Sequence, residues 1–250
     1  MNERYQVRYS TTDAGTRADA VIDAGLRAYM LRVYNYMASG VLLTGILAML
    51  TANSPAMINL LYAQNAAGGV GYSGLGWIVA LAPLAFILVL SFGINRLSAV
   101  ASQALFWAFA GVMGLSLSSI FLLYTGESIA RVFFITAASF GALSLYGYTT
   151  KRDLSGWGTF LFMGLIGIII ASIVNWFLAS PALYWTVSFL GVLIFAGLTA
   201  YDTQRIKNMY YEGDAADTAT KKAVMGALSL YLDFINMFLL LLRFFGAARE

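Results

Sequence analysis

The sequence has no cysteine and no histidine, and only 11% of its 250 residues are charged. Those two missing residue types exclude disulfides, thiolate nucleophiles, zinc fingers, imidazole-ligated metals and Ser-His-Asp triads. Any chemistry falls to carboxylates, Lys, Arg, Tyr or backbone groups. A soluble domain carries about 25% charged residues and about 45–50% apolar ones. Here 60% of the residues are hydrophobic, so the chain reads as an integral membrane protein. The net charge of +3 is no nucleic-acid footprint, because that needs a basic stripe on a soluble face.

Charge-free stretches count the spans, since a crossing helix needs about 20 apolar residues. The 63 uncharged residues between Arg32 and Arg96 hold two spans, parted by Thr51, Asn53, Ser54, Pro55 and the Gly-rich stretch Ala66 to Gly76. Leu97 to Gly126 and Val132 to Thr150 hold one each. The 48 residues between Asp153 and Asp202 divide at Ala179-Ser180-Pro181 into two, and the run between Lys222 and Arg243 is a seventh that contains Asp233. The expected helices are 30–51, 75–95, 99–123, 129–149, 157–178, 182–203 and 223–245. The runs are too long and too uniformly apolar for a transmembrane barrel, so the fold class is an all-α bundle of seven transmembrane helices. Two regions result: a polar tail over residues 1–28 and a transmembrane domain over 29–246. The tail's acids, Glu3, Asp13, Asp19 and Asp23, argue against a transit peptide, and the first apolar run is too late and too long for a cleaved secretory signal.

Orientation follows Lys and Arg. Twelve of the 15 basic residues fall on the amino-terminal side, and only Arg131, Arg243 and Arg249 on the other. This predicts a cytoplasmic amino terminus and an outer carboxyl terminus. Trp77, Trp157, Trp176 and Trp185 fall at helix ends, as an interfacial aromatic belt requires.

Asp233 is the costly residue, near mid-depth of the last span, where a carboxylate costs at least about 2.5–3.5 kcal/mol. Ser229 and Asn236 share its helical face at i−4 and i+3. Asp202 closes the sixth span; its plain alternative is a boundary acid meeting water and Arg205. Arg96 closes the second span, either as a positive-inside anchor that snorkels to the headgroups or as counter-ion to an acid. Lys151, Arg152 and Asp153 read as loop charges, and Glu127 with Arg131 as a surface i,i+4 pair. Ala110, Gly114 and Ser118 at four-residue spacing read as a packing face.

Four segments occur in order: Phe92-Gly93-Ile94-Asn95-Arg96-Leu97-Ser98, Tyr148-Thr149-Thr150-Lys151-Arg152-Asp153-Leu154-Ser155, Ala200-Tyr201-Asp202-Thr203-Gln204 and Leu232-Asp233-Phe234-Ile235-Asn236. Together, over about residues 25–246, they resemble the transmembrane Bax-inhibitor-motif family, and more narrowly its bacterial YccA/YetJ-like branch. The resemblance implies a short, central seventh helix wrapped by six others. It also implies an aspartate pair, Asp202 and Asp233, that senses pH and calcium and bonds to Arg96, and a place in the bacterial inner membrane.

On this reading the chain is a pH-sensitive calcium leak channel, with Arg96 as latch and no resident cofactor. Calcium wants six to eight oxygens and two carboxylates supply at most four. Ser229, Asn236, backbone carbonyls and water must add the rest, so passage is transient. Two carboxylates in a low-dielectric site do not both ionise freely, which ties the latch to a shared proton. A proton-exchanging transporter is a close variant. The resemblance also implies a partner, a membrane-bound ATP-dependent protease, with residues 1–28 as the handle. The enzyme alternative, an intramembrane aspartyl protease, fits Tyr201-Asp202 but meets bulky Leu230-Tyr231-Leu232 before Asp233, where close approach of a substrate backbone needs glycine.

Overall fold

A computed structural model describes residues 12–64 and 70–249. Residues 1–11, the start of the tail expected to hold a protein partner, and 65–69 of the Gly-rich stretch lie outside the described residues. The long helices are α1 (Thr12–Ala52), α3 (Gly74–Gly93), α4 (Ala99–Ser116), α6 (Gly126–Thr149), α7 (Ser155–Leu178), α8 (Pro181–Asn208) and α9 (Ala216–Phe245). Short α2 (Pro55–Leu61) and α5 (Ser119–Leu123) and a two-stranded hairpin, β1 (Tyr62–Gln64) with β2 (Val70–Tyr72), complete them. Among the described residues, seven helical segments are long and apolar enough to cross a membrane: Ala24–Ala52, Gly74–Gly93, Ala99–Leu123, Gly126–Thr149, Ser155–Leu178, Pro181–Asn208 and Ala216–Phe245. They are the seven read from the charge-free runs.

Three boundaries move. Helix α1 begins at Thr12, so the division between tail and membrane domain at residues 28/29 falls inside a continuous helix. The third span bends at Leu117-Ser118 before α5; Ser118 Oγ donates to Leu115 O instead of prolonging the helix. The stretch expected as a long loop between the sixth and seventh spans is mostly helical. Helix α8 runs on to Asn208 and α9 starts at Ala216.

Helix α9 is central. Two-thirds of its spanning window is buried, against 6% for α7 and 17% for α3. It packs against α1, α4, α6 and α8, while α3 packs chiefly on α4 and α7 on α8. The seventh helix is thus enclosed by four helices directly, with α3 and α7 as outer pillars. It is not short: its 30 residues extend about 45 Å.

Close approach is made by small residues. Gly114 of α4 lies against the backbone of Thr44 in α1, where an added Cβ would stand 2.7 Å from Thr44 O. Ala110 and Ser118 of the same face are fully buried. On the other side Gly147 of α6 abuts the Ala200 backbone of α8. Tyr231, the largest fully buried side chain, binds Thr44 Oγ1 at 2.7 Å, and Thr44 Oγ1 donates to Ala110 O at 2.7 Å. Thr44 has one proton, so the Tyr231 hydroxyl is the donor in the first bond, and the chain α9 to α1 to α4 is fixed in direction.

The end of the bundle opposite the α8–α9 connection is tied by the chain's last residues. Thr125 N donates to Ala247 O and Arg249 N to Leu123 O, forming a bridge across Tyr124 and Ala248. Tyr62 of the hairpin binds Ser118 Oγ at 2.9 Å on the same level.

Candidate functional site

The site rests on the antiparallel packing of α8 and α9. Ser188 Oγ meets Arg243, Gly191 admits Leu240 and Gly226 admits Ile206, and Arg205 meets Ser229. In each pair one number falls as the other rises, so the register is continuous and puts Asp202 opposite the turn that carries Asp233. With α8 running to Asn208 and α9 starting at Ala216, both acids lie inside the paired helices. The first turns of α9 project past the end of α8, and the seven-residue connection 209–215 is closed by Lys222, which donates to Met209 O and pairs with Asp214 at 2.6 Å.

Asp233 is 4% exposed and its Oδ2 has no hydrogen-bond partner among the described residues. The charged groups that act on it are Asp202 and Arg205. Asp202 is also buried, and its Oδ1 lies 3.5 Å from Arg205 Nη2, an i,i+3 pair on one helix. The same Nη2 donates to Ser229 Oγ at 3.2 Å. One half-exposed guanidinium therefore holds an oxygen on each helix, and behind it lies a second carboxyl with one oxygen unpaired. Asn236 is half-buried and its Nδ2 donates to Leu232 O at 2.8 Å, so its amide is turned to its own helix.

The counter-ion expected from sequence is not where the acids are. Arg96 is exposed beyond the end of α3, on the α3–α4 connection whose Leu97 O accepts from Lys221 Nζ, next to the first residue of α4, Ala99, whose N donates to Asp217. That level is twelve residues before Asp233 on α9, about 18 Å along the axis. The cation on the pair is Arg205. Its signal was present in the i,i+3 spacing to Asp202, the geometry of a helical ion pair, but that spacing fits a surface pair equally well.

Two other polar residues frame the site. Gln204 accepts from Leu154 N and donates to Arg152 O, both at 2.8 Å, so it docks the α6–α7 connection beside Asp202. Lys207 donates to Tyr148 O at 2.8 Å with its Nζ over the Tyr148 ring. These contacts explain why the Tyr148-to-Ser155 and Ala200-to-Gln204 segments stand out together: one is the other's hydrogen-bond partner. No cluster of three or more Asp and Glu side chains that could hold a metal occurs among the described residues. The pair and its neighbours can bind a cation only with help from water or moving backbone.

Seven apolar spans, the last of them central, with one buried acid on it and another on the neighbouring helix, define a polytopic α-helical membrane protein. Residues 26–250 match the family described as inhibitor of apoptosis-promoting Bax1, and the chain belongs to that family. It is 51% identical over 241 residues to the inner membrane protein YbhL of Escherichia coli, covering 95% of this chain and all of that one. It is 50% identical to a protein of Caulobacter vibrioides, over 97% of each chain. A Rickettsia prowazekii protein is 46% identical, over 98% of this chain and 100% of its own.

Proposed function

We propose that the protein is a pH-sensitive calcium leak channel of the bacterial inner membrane, gated by Asp202 and Asp233. The likeness to an Escherichia coli inner membrane protein supports the location. The observation that carries the reading is Asp233 itself, a buried carboxyl with an unpaired oxygen midway along the central helix, where an acid without a task is costly. Arg205 takes the part of latch. Because one nitrogen contacts both Asp202 and Ser229, a single swing of this side chain releases oxygens from both helices. Two carboxylates then face each other with one fewer cation. While the pair holds a proton its repulsion is weak and the latch stays shut. Loss of that proton drives the acids apart and leaves a site attractive to a divalent cation. With at most four carboxylate oxygens against the six to eight calcium prefers, residence is brief.

The test is calcium flux into proteoliposomes over a series from mildly acidic to mildly alkaline pH. Flux is expected to rise with pH. Asp233→Asn keeps shape but removes charge and proton, and is expected to abolish both the flux and its pH dependence while the protein still inserts. Unchanged flux in this variant would make the acid structural and end the proposal. Stoichiometric proton counterflow would assign the exchanging variant.

A further inference from the structure

Helices α1 and α6 both pack along α9 but scarcely touch each other. Between them a lateral groove of about 660 Å³ opens from the bundle surface down to Phe234 of α9, a size within the roughly 300–1,000 Å³ of ligand pockets. Its walls are almost wholly apolar, with Met37, Val41, Phe133 and Phe140 among them. Along α1 it runs from Arg27 to Leu42, fifteen residues or about 22 Å. That is the headgroup level plus most of one leaflet of a hydrocarbon core about 30 Å thick. Both walls belong to membrane-spanning segments, so what meets the groove at this depth is acyl chain.

The two ends differ. The Arg27 end carries that exposed guanidinium and Tyr148, whose ring and carbonyl hold the Lys207 ammonium. The deep end is apolar. A hydrocarbon slot one leaflet long, with the Arg27 guanidinium at its mouth, complements a tail joined to a phosphate. We propose that this groove binds one anionic phospholipid from the leaflet on the Arg27 side, an acyl chain lying against Phe234 and the phosphate at Arg27. The site requires nothing of the ion-conducting reading, and its test reads no flux.

Gly141 gives a clean way to fill the groove. It lines the wall, and a Cβ built on it meets nothing within 4 Å, so a larger side chain enters the groove without displacing backbone. Gly167 of α7 is equally open and lies outside the groove, which makes it a control for added bulk. The full-length protein would be taken from vesicles of phosphatidylcholine with and without phosphatidylglycerol and weighed by native mass spectrometry. One retained phosphatidylglycerol per protomer is expected. Gly141→Phe should lower its occupancy by about tenfold or more, Gly167→Phe should leave it unchanged, and Arg27→Gln should remove the preference over phosphatidylcholine. Equal retention in Gly141→Phe, or equal loss in Gly167→Phe, would refute the site. No retained lipid in the parent would assign the groove to the chain's own amino-terminal residues. A dimer lost on Gly141→Phe would assign it to a second copy; either result overturns the proposal.

Discussion

At the scale of single residues the functional reading turns on which arginine faces the acids. If Arg205 is the latch, Arg205→Ala should raise calcium leak at acidic pH, where the closed state prevails, and Asp202→Asn should do the same less strongly. Combined, the two should give little further opening, since a contact already lost cannot be lost again. Fully additive effects in that cycle would remove the latch. Arg96→Ala, at the exposed level of Lys221, should leave gating alone. A second residue-scale test concerns the hydroxyl chain at the core. Tyr231→Phe removes a donor and leaves Thr44 still bonded to Ala110 O, costing about 0.5–1.5 kcal/mol. Thr44→Val strands the buried Tyr231 hydroxyl and should cost more, about 1–3 kcal/mol. Thermal unfolding in detergent would order the two variants, and the reverse order would mean that the bond direction is wrong.

At the scale of elements, α7 is the least anchored span, with 6% of its window buried and α8 as its chief contact. Its start is held by polar contacts: Asp153 Oδ1 accepts from Ser155 N at 2.9 Å, and Gln204 clasps the connection. Bonds from Ser155 hold the exposed Asp153 carboxyl below the usual carboxylate range. A depressed folded-state value contributes stability above the unfolded pKa of about 3.9, and that contribution is lost as pH falls through the folded value. Amide exchange in the first turn of α7 should therefore be slow and level at neutral pH and quicken, beyond the intrinsic pH trend, only at strongly acid pH. Asp153→Asn should flatten that change. The spans were legible as elements because apolar length is a property of sequence. The added turns of α8 and α9 were not, because Lys207, Lys221 and Lys222 break the apolar run while remaining good helix formers.

For the whole molecule, an odd number of spans predicts that Ala24, where the first span starts, and the final residues lie on opposite faces. The asymmetry of twelve basic residues against three predicts which face is which. Reporter fusions at each terminus should show a cytoplasmic amino end and an outer carboxyl end. Both on one side would mean that α9 does not cross, despite 30 continuous helical residues. The outer end would then lose its account, since the strand-like pairing of Tyr124 with Ala248 requires the last residues to reach the α5–α6 connection.

Composition and charge-free length alone determined that this chain lives in a bilayer, crosses it seven times and carries one acid where an acid is expensive, because the membrane as solvent fixes span length and the cost of charge. The motif segments, read together, pointed to the family, and singled out Asp202 and Asp233 as the candidate acids. Which cation lies beside that pair was decided by the tertiary structure. The register between α8 and α9 depends on where small residues such as Gly191 and Gly226 let the helices close, and that register brings Arg205, three residues from Asp202, onto Ser229, while the packing of the α3–α4 connection on Lys221 leaves Arg96 about 18 Å along α9 from Asp233. The groove between α1 and α6 likewise exists only because both helices lie on α9 without meeting, an arrangement that no local pattern encodes.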